Sequence, residues 1–179
     1  MLILITYILL LLSGLAPAGA GEMPIGVLVI PSLNVREAVW EATLVDGVWN
    51  PGAWAGRVAH LGGTGWLRGE DGCRQDTYTI ALVSHNGGPL ASIPSLQLGN
   101  IIYLYDGKWE FVYLVTETGV VEWQNMYPVM PTQIPTLTLF ICWGTFDSQR
   151  QDYNQRYYVR AERIEVREQS GMENARVCA

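Results

Sequence analysis

The chain has 179 residues, enough for one ordinary domain with terminal extras and too few for a second sizeable core. Apolar residues make up 49% and charged residues 16%, which marks a globular chain and excludes a disordered one. The formal net charge is -6 and no basic run occurs, so the phosphate-neutralising surface that nucleic-acid binding needs is missing.

Met1 to Leu12 reads MLILITYILLLL, and no charged residue precedes Glu22. A run of this length suits the apolar part of a signal peptide, and small residues follow at Ala16-Pro17-Ala18 and Ala18-Gly19-Ala20. Extended through Ala20, the run reaches the roughly 20 uncharged residues of a marginal membrane helix. Residues 1–22 are therefore expected to be a signal peptide or an N-terminal membrane anchor, with Met1 to about Leu15 helical. That puts the rest of the chain outside the cytoplasm, at the membrane or secreted. No Lys or Arg stands ahead of the run, which departs from the usual signal peptide.

From Ile25 the chain reads as short strands divided by turn signals. Ile25 to Ile30 is a continuous apolar run stopped by Pro31, Val35 to Val45 is rich in β-branched and aromatic residues, and Asp46-Gly47 marks a turn. Trp49 to Gly72 is rich in Gly and Trp and weakly periodic, so a long connection with one short helix is expected there. Thr77 to Val83 is a buried strand by composition and runs into Ser84-His85-Asn86-Gly87-Gly88. A second helical piece is expected around Leu90 to Leu96. Ile101 to Tyr105, Asp106-Gly107 and Trp109 to Thr116 form a hairpin, with Trp109, Phe111, Tyr113 and Val115 on one face. Thr136 to Cys142 is another strand. The last, Gln155 to Val166, sets Arg156, Tyr158 and Arg160 on one side and Tyr157, Val159 and Ala161 on the other. About eight strands without alternating helices predict an all-β fold, a mostly antiparallel closed or nearly closed barrel with one or two short helices in connections. The barrel domain spans residues 23–167, and residues 168–179 form a polar tail.

Three cysteines, Cys73, Cys142 and Cys178, are an odd number for an exported chain, so at least one has no intramolecular partner. With only His60 and His85 and no C-x-x-C spacing, no zinc-ligand pattern exists, and no cofactor is expected. A reactive thiol needs a base or cation nearby, because the thiolate is the nucleophile and a free thiol has a pKa of about 8.5. Cys142 and His85 each close an apolar strand, and Arg156 opens the strand after Cys142. Taken singly, each has a plainer reading: a small core hydrophobe, a turn residue and a solvated flank.

Their order and local sequence resemble the sortases, which have a His after an apolar strand, a T-L-x-T-C strand, and an Arg opening the next strand. The matching residues are Leu82-Val83-Ser84-His85, Thr138-Leu139-Phe140-Ile141-Cys142 and Arg156-Tyr157-Tyr158-Val159-Arg160-Ala161. Trp54, Gly56 and His60-Leu61-Gly62-Gly63-Thr64-Gly65-Trp66 look like the segment before the sortase His strand. Leu96-Gln97-Leu98-Gly99-Asn100-Ile101-Ile102 looks like the lead into its central hairpin. The resemblance runs from about Ile25 to Val166. It implies a cysteine transpeptidase with Cys142 as nucleophile, His85 as acid/base and Arg156 as oxyanion stabiliser. The implied substrates are cell-surface proteins with a sorting signal of the Leu-Pro-x-Thr-Gly kind. The implied acceptor is an amine on a cell-wall precursor or a pilin-like subunit, and the N-terminal segment is the implied membrane contact. Ile141 stands where the family usually has Thr, and Ser84 where Gly is common. No motif marks a calcium site or the sorting-signal pocket.

His60 is the rival base, and Arg150, Arg160 and Arg163 compete with Arg156. No acidic residue is marked by position as a third member of the site. An L,D-transpeptidase would show Ser-His-Gly-Cys in one run, and Ser84-His85-Asn86-Gly87 has no Cys beside it. The alternative from another class is a catalytically decayed β-barrel that binds cell-wall peptide or glycan through its tryptophans.

Overall fold

The computed structural model describes residues 23–42, 44–45, 48–49, 56–62, 64 and 79–168. The N-terminal apolar segment, the Asp46-Gly47 turn, most of the Trp49–Gly72 stretch with its expected helix, Cys73, Cys178 and the tail beyond 168 lie outside the described residues.

The apolar runs become strands: β1 (Gly26–Ile30), β2 (Val35–Ala42), β3 (Leu44–Val45), β4 (Val48–Trp49), β5 (Val58–Leu61), β6 (Thr79–Ser84), β7 (Ile101–Tyr105), β8 (Trp109–Glu122), β9 (Thr136–Asp147) and β10 (Asp152–Glu168). Eight of them close a barrel in the order β1-β2-β5-β6-β9-β10-β8-β7, and β3 with β4 forms a separate two-stranded sheet. Six neighbouring pairs in the barrel are antiparallel. Two, β2 with β5 and β6 with β9, are parallel. Parallel neighbours need a long crossover, and the crossover from β6 to β9 is the whole β7–β8 hairpin with its flanking connections. The helical content of the described residues is three single 3-10 turns, at Pro31–Leu33, Ile93–Ser95 and Tyr127–Val129. The helix expected around Leu90 to Leu96 is thus one such turn.

The inward positions of the strands make the main core, with Leu28, Ile30, Leu82, Leu104, Phe111, Tyr113, Leu139, Ile141 and Val159 all buried. Phe111, Tyr113 and Val115 point inward together as the alternation requires, and Trp109 packs at the edge of the same core. A smaller cluster, Ala42, Ala59, Leu61, Ala81 and Val83, lies on the other face of β2, β5 and β6, with Val129 and Phe140 packed against it. Strand β6 is therefore covered on both sides, and all six of its residues are buried. That is why it reads as an unbroken apolar run and not as an alternating one.

Three sequence expectations need correction. Val58–Leu61, inside the stretch read as a helix-bearing connection, is a barrel strand with all four residues buried. Four residues among glycines are too few to show a period, and only pairing with β2 and β6 defines them as a strand. Strand β9 does not end at Cys142 but runs to Asp147, and β10 begins at Asp152, so Arg156 lies within its strand and does not open it. The two strands extend as one hairpin whose outer part, Trp143 to Asp147, has a glycine and mixed polarity instead of an apolar run.

Long β8 and β10 pair along nearly their whole length, and Gly119 sits opposite Tyr158. The Tyr158 ring lies over that glycine, and its hydroxyl donates to Glu117 Oε1 at 2.6 Å. A Cβ on Gly119 would come within 2.8–2.9 Å of the ring tip. Gly119→Ala is therefore expected to push Tyr158 off Glu117 and cost about 1–3 kcal/mol in urea unfolding. Unchanged stability would mean that the ring moves aside freely.

Candidate active site

Side chains alternate across β9, so Ile141 and Cys142 face opposite ways. Ile141 is 1% exposed and packs inside the barrel, while Cys142 is half-buried on the outer face. In the β9–β10 ladder the direct partner of Cys142 is Arg156. Cross-strand partners share a face, so thiol and guanidinium stand on the same side of the sheet. On the other flank β6 runs parallel to β9 with Ser84 level with Ile141. The chain leaves β6 at that point, so His85 is the first residue of the turn that follows on this flank.

A tight turn holds His85 there. Ser84 Oγ donates to the His85 carbonyl at 3.2 Å and accepts the Leu90 N–H at 3.1 Å. The Gly88 N–H donates to the same carbonyl at 2.9 Å, and Gly87 takes φ 82°, a left-handed value that suits glycine. Gly88 is close-packed as well, since a Cβ would meet the Ser84 hydroxyl at 3.0 Å. Ser84, which departs from the family's usual Gly, is thus the residue that pins the turn. The backbone N–H of Asn86 in this turn points at the Cys142 sulfur.

Burial pushes the Cys142 thiol above its ordinary range. The Arg156 cation opposes that rise, Asp152 adds to it, and the N–H groups of Asn86 and of Cys142 itself ease it. The sulfur lies 3.9 Å from Asp152 Oδ1, at the long end of a thiol hydrogen bond. Asp152 Oδ2 pairs with Arg156 Nη2 at 2.6 Å. Arg156 Nη1 donates to the carbonyls of Tyr153 at 3.0 Å and Gln155 at 2.9 Å. Asp152 is the site residue that the sequence reading missed. The available signal was its spacing of four from Arg156 on a period-2 strand, which puts both on one face.

Beyond Cys142 the hairpin contains a bulge. Gln155 pairs with Trp143 and Tyr153 with Phe146, so Gly144 and Thr145 together oppose Asn154. Gly144 has φ 81°, the left-handed glycine of a G1-type bulge, and the Thr145 N–H left over by the bulge donates to Asn154 Oδ1 at 2.7 Å. A Cβ on Gly144 would collide with that same Oδ1 and with Gln155 Oε1. The bulge resets the alternation of β9, so Asp147, opposite Asp152, falls on the Cys142 face.

The rival residues are engaged elsewhere. His60 is 2% exposed, with Nδ1 2.7 Å from Glu41 Oε2 and Nε2 3.0 Å from Thr64 Oγ1. It lies on β5, within the stretch expected to be a connection. Arg160 pairs with the Tyr127 carbonyl and stacks 4.1 Å from the Tyr127 ring. Arg150 binds Asp147 at 3.3 Å and lies over Trp123, and Arg163 lies against Phe111. Among the described residues no group of three or more His, Cys, Asp or Glu could hold a metal ion. Nor is any described helix long and apolar enough to cross a membrane.

The family model of the Sortase domain matches residues 28–164. Sortase A of Listeria monocytogenes superposes with a TM-score of 0.66 at 17% identity, covering 82% of this chain and 91% of that one. Sortase C-3 of Streptococcus pneumoniae gives 0.66 at 20% identity, covering 84% and 67%. A pilus-related sortase C of Group B Streptococcus gives 0.64 at 18% identity, covering 79% and 68%. No curated protein matches the sequence.

Because burial holds the thiol above its ordinary range, Cys142 is expected to react slowly with iodoacetamide at neutral pH and faster as pH rises through and past the usual thiol range. Alkylation followed by mass spectrometry on the Cys142 peptide checks this. A rate already at its plateau below neutral pH would show instead a resting thiolate.

Proposed function

The chain belongs to the sortase family of transpeptidases, and on that premise we propose that Cys142, His85 and Arg156 carry the reaction. The observation that carries this reading is the strand register that makes Arg156 the direct neighbour of Cys142, with the His85 turn on the opposite flank.

The Cys142 thiolate would attack the carbonyl carbon of a sorting signal of the Leu-Pro-x-Thr-Gly kind, forming an S–C bond as the carbonyl π pair moves onto oxygen. Arg156 supplies a permanent cation with planar donors to that oxyanion. Three of its five N–H donors are taken by Tyr153, Gln155 and Asp152, which fixes the plane of the guanidinium and leaves two for the substrate. Collapse of the intermediate breaks the C–N bond, and the leaving amine takes a proton from the His85 imidazolium. An incoming amine then attacks the thioester, gives its proton to His85, and the thiolate departs.

The acceptor is proposed to be an amine of a cell-wall precursor or a lysine of a pilin-like subunit. The chain would act outside the cytoplasm on cell-surface proteins, held to the membrane through its N-terminal segment. The raised thiol supports a mechanism in which a small thiolate–imidazolium population reacts. Ile141 weighs little against activity, since its side chain is in the core and Cys142 faces the other way.

Cys142→Ala is expected to form no acyl-enzyme with a sorting-motif peptide, and His85→Ala to lose about 10²–10⁴-fold in turnover. Arg156→Lys should lose about 10²–10³-fold, since a point charge replaces a fixed fork. Thioester detection by intact mass, with peptide cleavage, reads all three. Cleavage that survives Cys142→Ala would leave the family assignment standing and overturn the site; a parent chain that forms no thioester with such peptides would favour the decayed, binding-only alternative.

A further inference from the structure

Asp152 is half-exposed, yet its two carboxylate oxygens are divided between the groups on either side of it. Oδ2 takes the Arg156 guanidinium at 2.6 Å and Oδ1 faces the Cys142 sulfur at 3.9 Å. Its own Oδ1 also accepts the Tyr153 N–H at 2.8 Å, which orients the carboxylate on the strand. An ion pair between two solvated flanks would be worth little. This one sits beside a half-buried thiol, with Arg156 only 17% exposed in its side chain.

We propose that Asp152 is a positioning residue of the transfer reaction, fixing the Arg156 guanidinium over the sulfur while opposing formation of the thiolate before substrate arrives. The proposal rests on the reading of Cys142 as nucleophile and Arg156 as oxyanion donor. Its logic is a trade between two effects of one charge. A carboxylate on Nη2 makes a short charge-assisted bond that immobilises the fork, which helps only when an oxyanion needs aligned donors. The same negative charge beside the sulfur penalises the thiolate and offsets part of the help from Arg156. The resting thiol is thereby kept neutral in an oxidising compartment, where a free thiolate is the species most easily oxidised.

The charged groups acting on the sulfur are Arg156 and Asp152 from β10, and the turn after β6, which carries His85, lies on the other flank of β9. Asp147 lies opposite Asp152 in the ladder, and its carboxylate is held by Arg150. Removing the Asp152 charge therefore leaves Arg156 as the nearest charge to the thiol on that strand. The two measurable properties of the site should then move in opposite directions, which a merely structural role cannot produce.

The test uses the full chain with Asp152→Asn, and Asp152→Ser as a second variant should the first fold poorly. Turnover of a Leu-Pro-x-Thr-Gly peptide is expected to fall about tenfold or more, in kcat with KM little changed, because the oxyanion donor is no longer fixed. Alkylation of Cys142 by iodoacetamide, read on its own peptide by mass spectrometry, is expected to become faster at fixed pH, with its pH profile moved to lower pH. Asp152→Glu, which keeps the charge, should keep the parent's alkylation profile. Turnover and alkylation both unchanged would reduce the contact to a surface ion pair. A joint fall in both would make Asp152 structural, and either result overturns the proposal. A parent chain that forms no thioester would defeat the functional reading alone, and the alkylation arm would still decide whether Asp152 governs the thiol.

Discussion

The register of β9 between β6 and β10 determines which side of the sheet carries the thiol and what stands beside it. A shift of one residue would turn Ile141 outward and Cys142 into the barrel, because the side-chain period of a strand is two. The shift is resisted from both flanks. Leu137, Leu139 and Ile141 are all at or below 1% exposure on the inner face, so a slip would replace three core side chains with Thr138, Phe140 and Cys142. The hydrophobic core thus decides which side chains of the same strand face outward, and Cys142 and Arg156 share the outer face because Leu139 must be inside.

The two neighbours of β9 serve the site differently. Strand β10 continues beside it well past Cys142, so Arg156 and Asp152 are delivered from a paired, rigid backbone. Strand β6 stops at Ser84, level with Ile141, and so opens the sheet edge on the other flank. There the chain turns away through His85, Gly87 and Gly88, and the turn brings the Asn86 backbone N–H to the sulfur. One flank supplies fixed charge. The other carries His85, the residue proposed to pick up and release protons, and that residue sits at a turn and not in a ladder.

Much of this was legible in the sequence. The apolar runs of β1, β6, β7 and β9 and the Asp106-Gly107 hairpin have local signatures, and the alternation from Arg156 to Ala161 assigned the faces of β10 correctly. The order of His85, Cys142 and Arg156 carried the family resemblance. What stayed hidden depends on pairing between distant segments. Val58–Leu61 is a strand only because β2 and β6 flank it, and no four-residue pattern announces that. The continuation of β9 past Cys142 was masked by Gly144, which reads as a strand breaker but is a bulge stabilised by the Asn154 side chain. Asp152 was missed for the same reason: with β10 taken to begin at Gln155, the acid fell in a loop, where its spacing of four from Arg156 carries no meaning.

Arg156 and Arg160 show how far sequence pattern reaches. They lie four residues apart on one face of one strand, and a period-2 reading cannot separate them. Their surroundings do. The connection between β8 and β9 folds back over the Arg160 end of that face, where the Tyr127 ring and carbonyl and the Glu117 carboxylate take up the guanidinium. Glu117 in turn accepts from the Tyr158 hydroxyl, whose pKa is pushed up to about 12 by burial and by that hydrogen bond, so it remains a donor throughout the working range. The enclosure is not perfect, since Arg160 Nε and the hydroxyl of its cross-strand neighbour Thr138 are buried without a partner among the described residues. Such an atom costs about 1–3 kcal/mol, so this guanidinium is held by a sum of contacts and is ill placed to turn toward a substrate. Arg156 is engaged from its own strand instead, by the carbonyls of Tyr153 and Gln155 and the carboxylate of Asp152, so the two arginines differ in which element of the fold takes up the guanidinium.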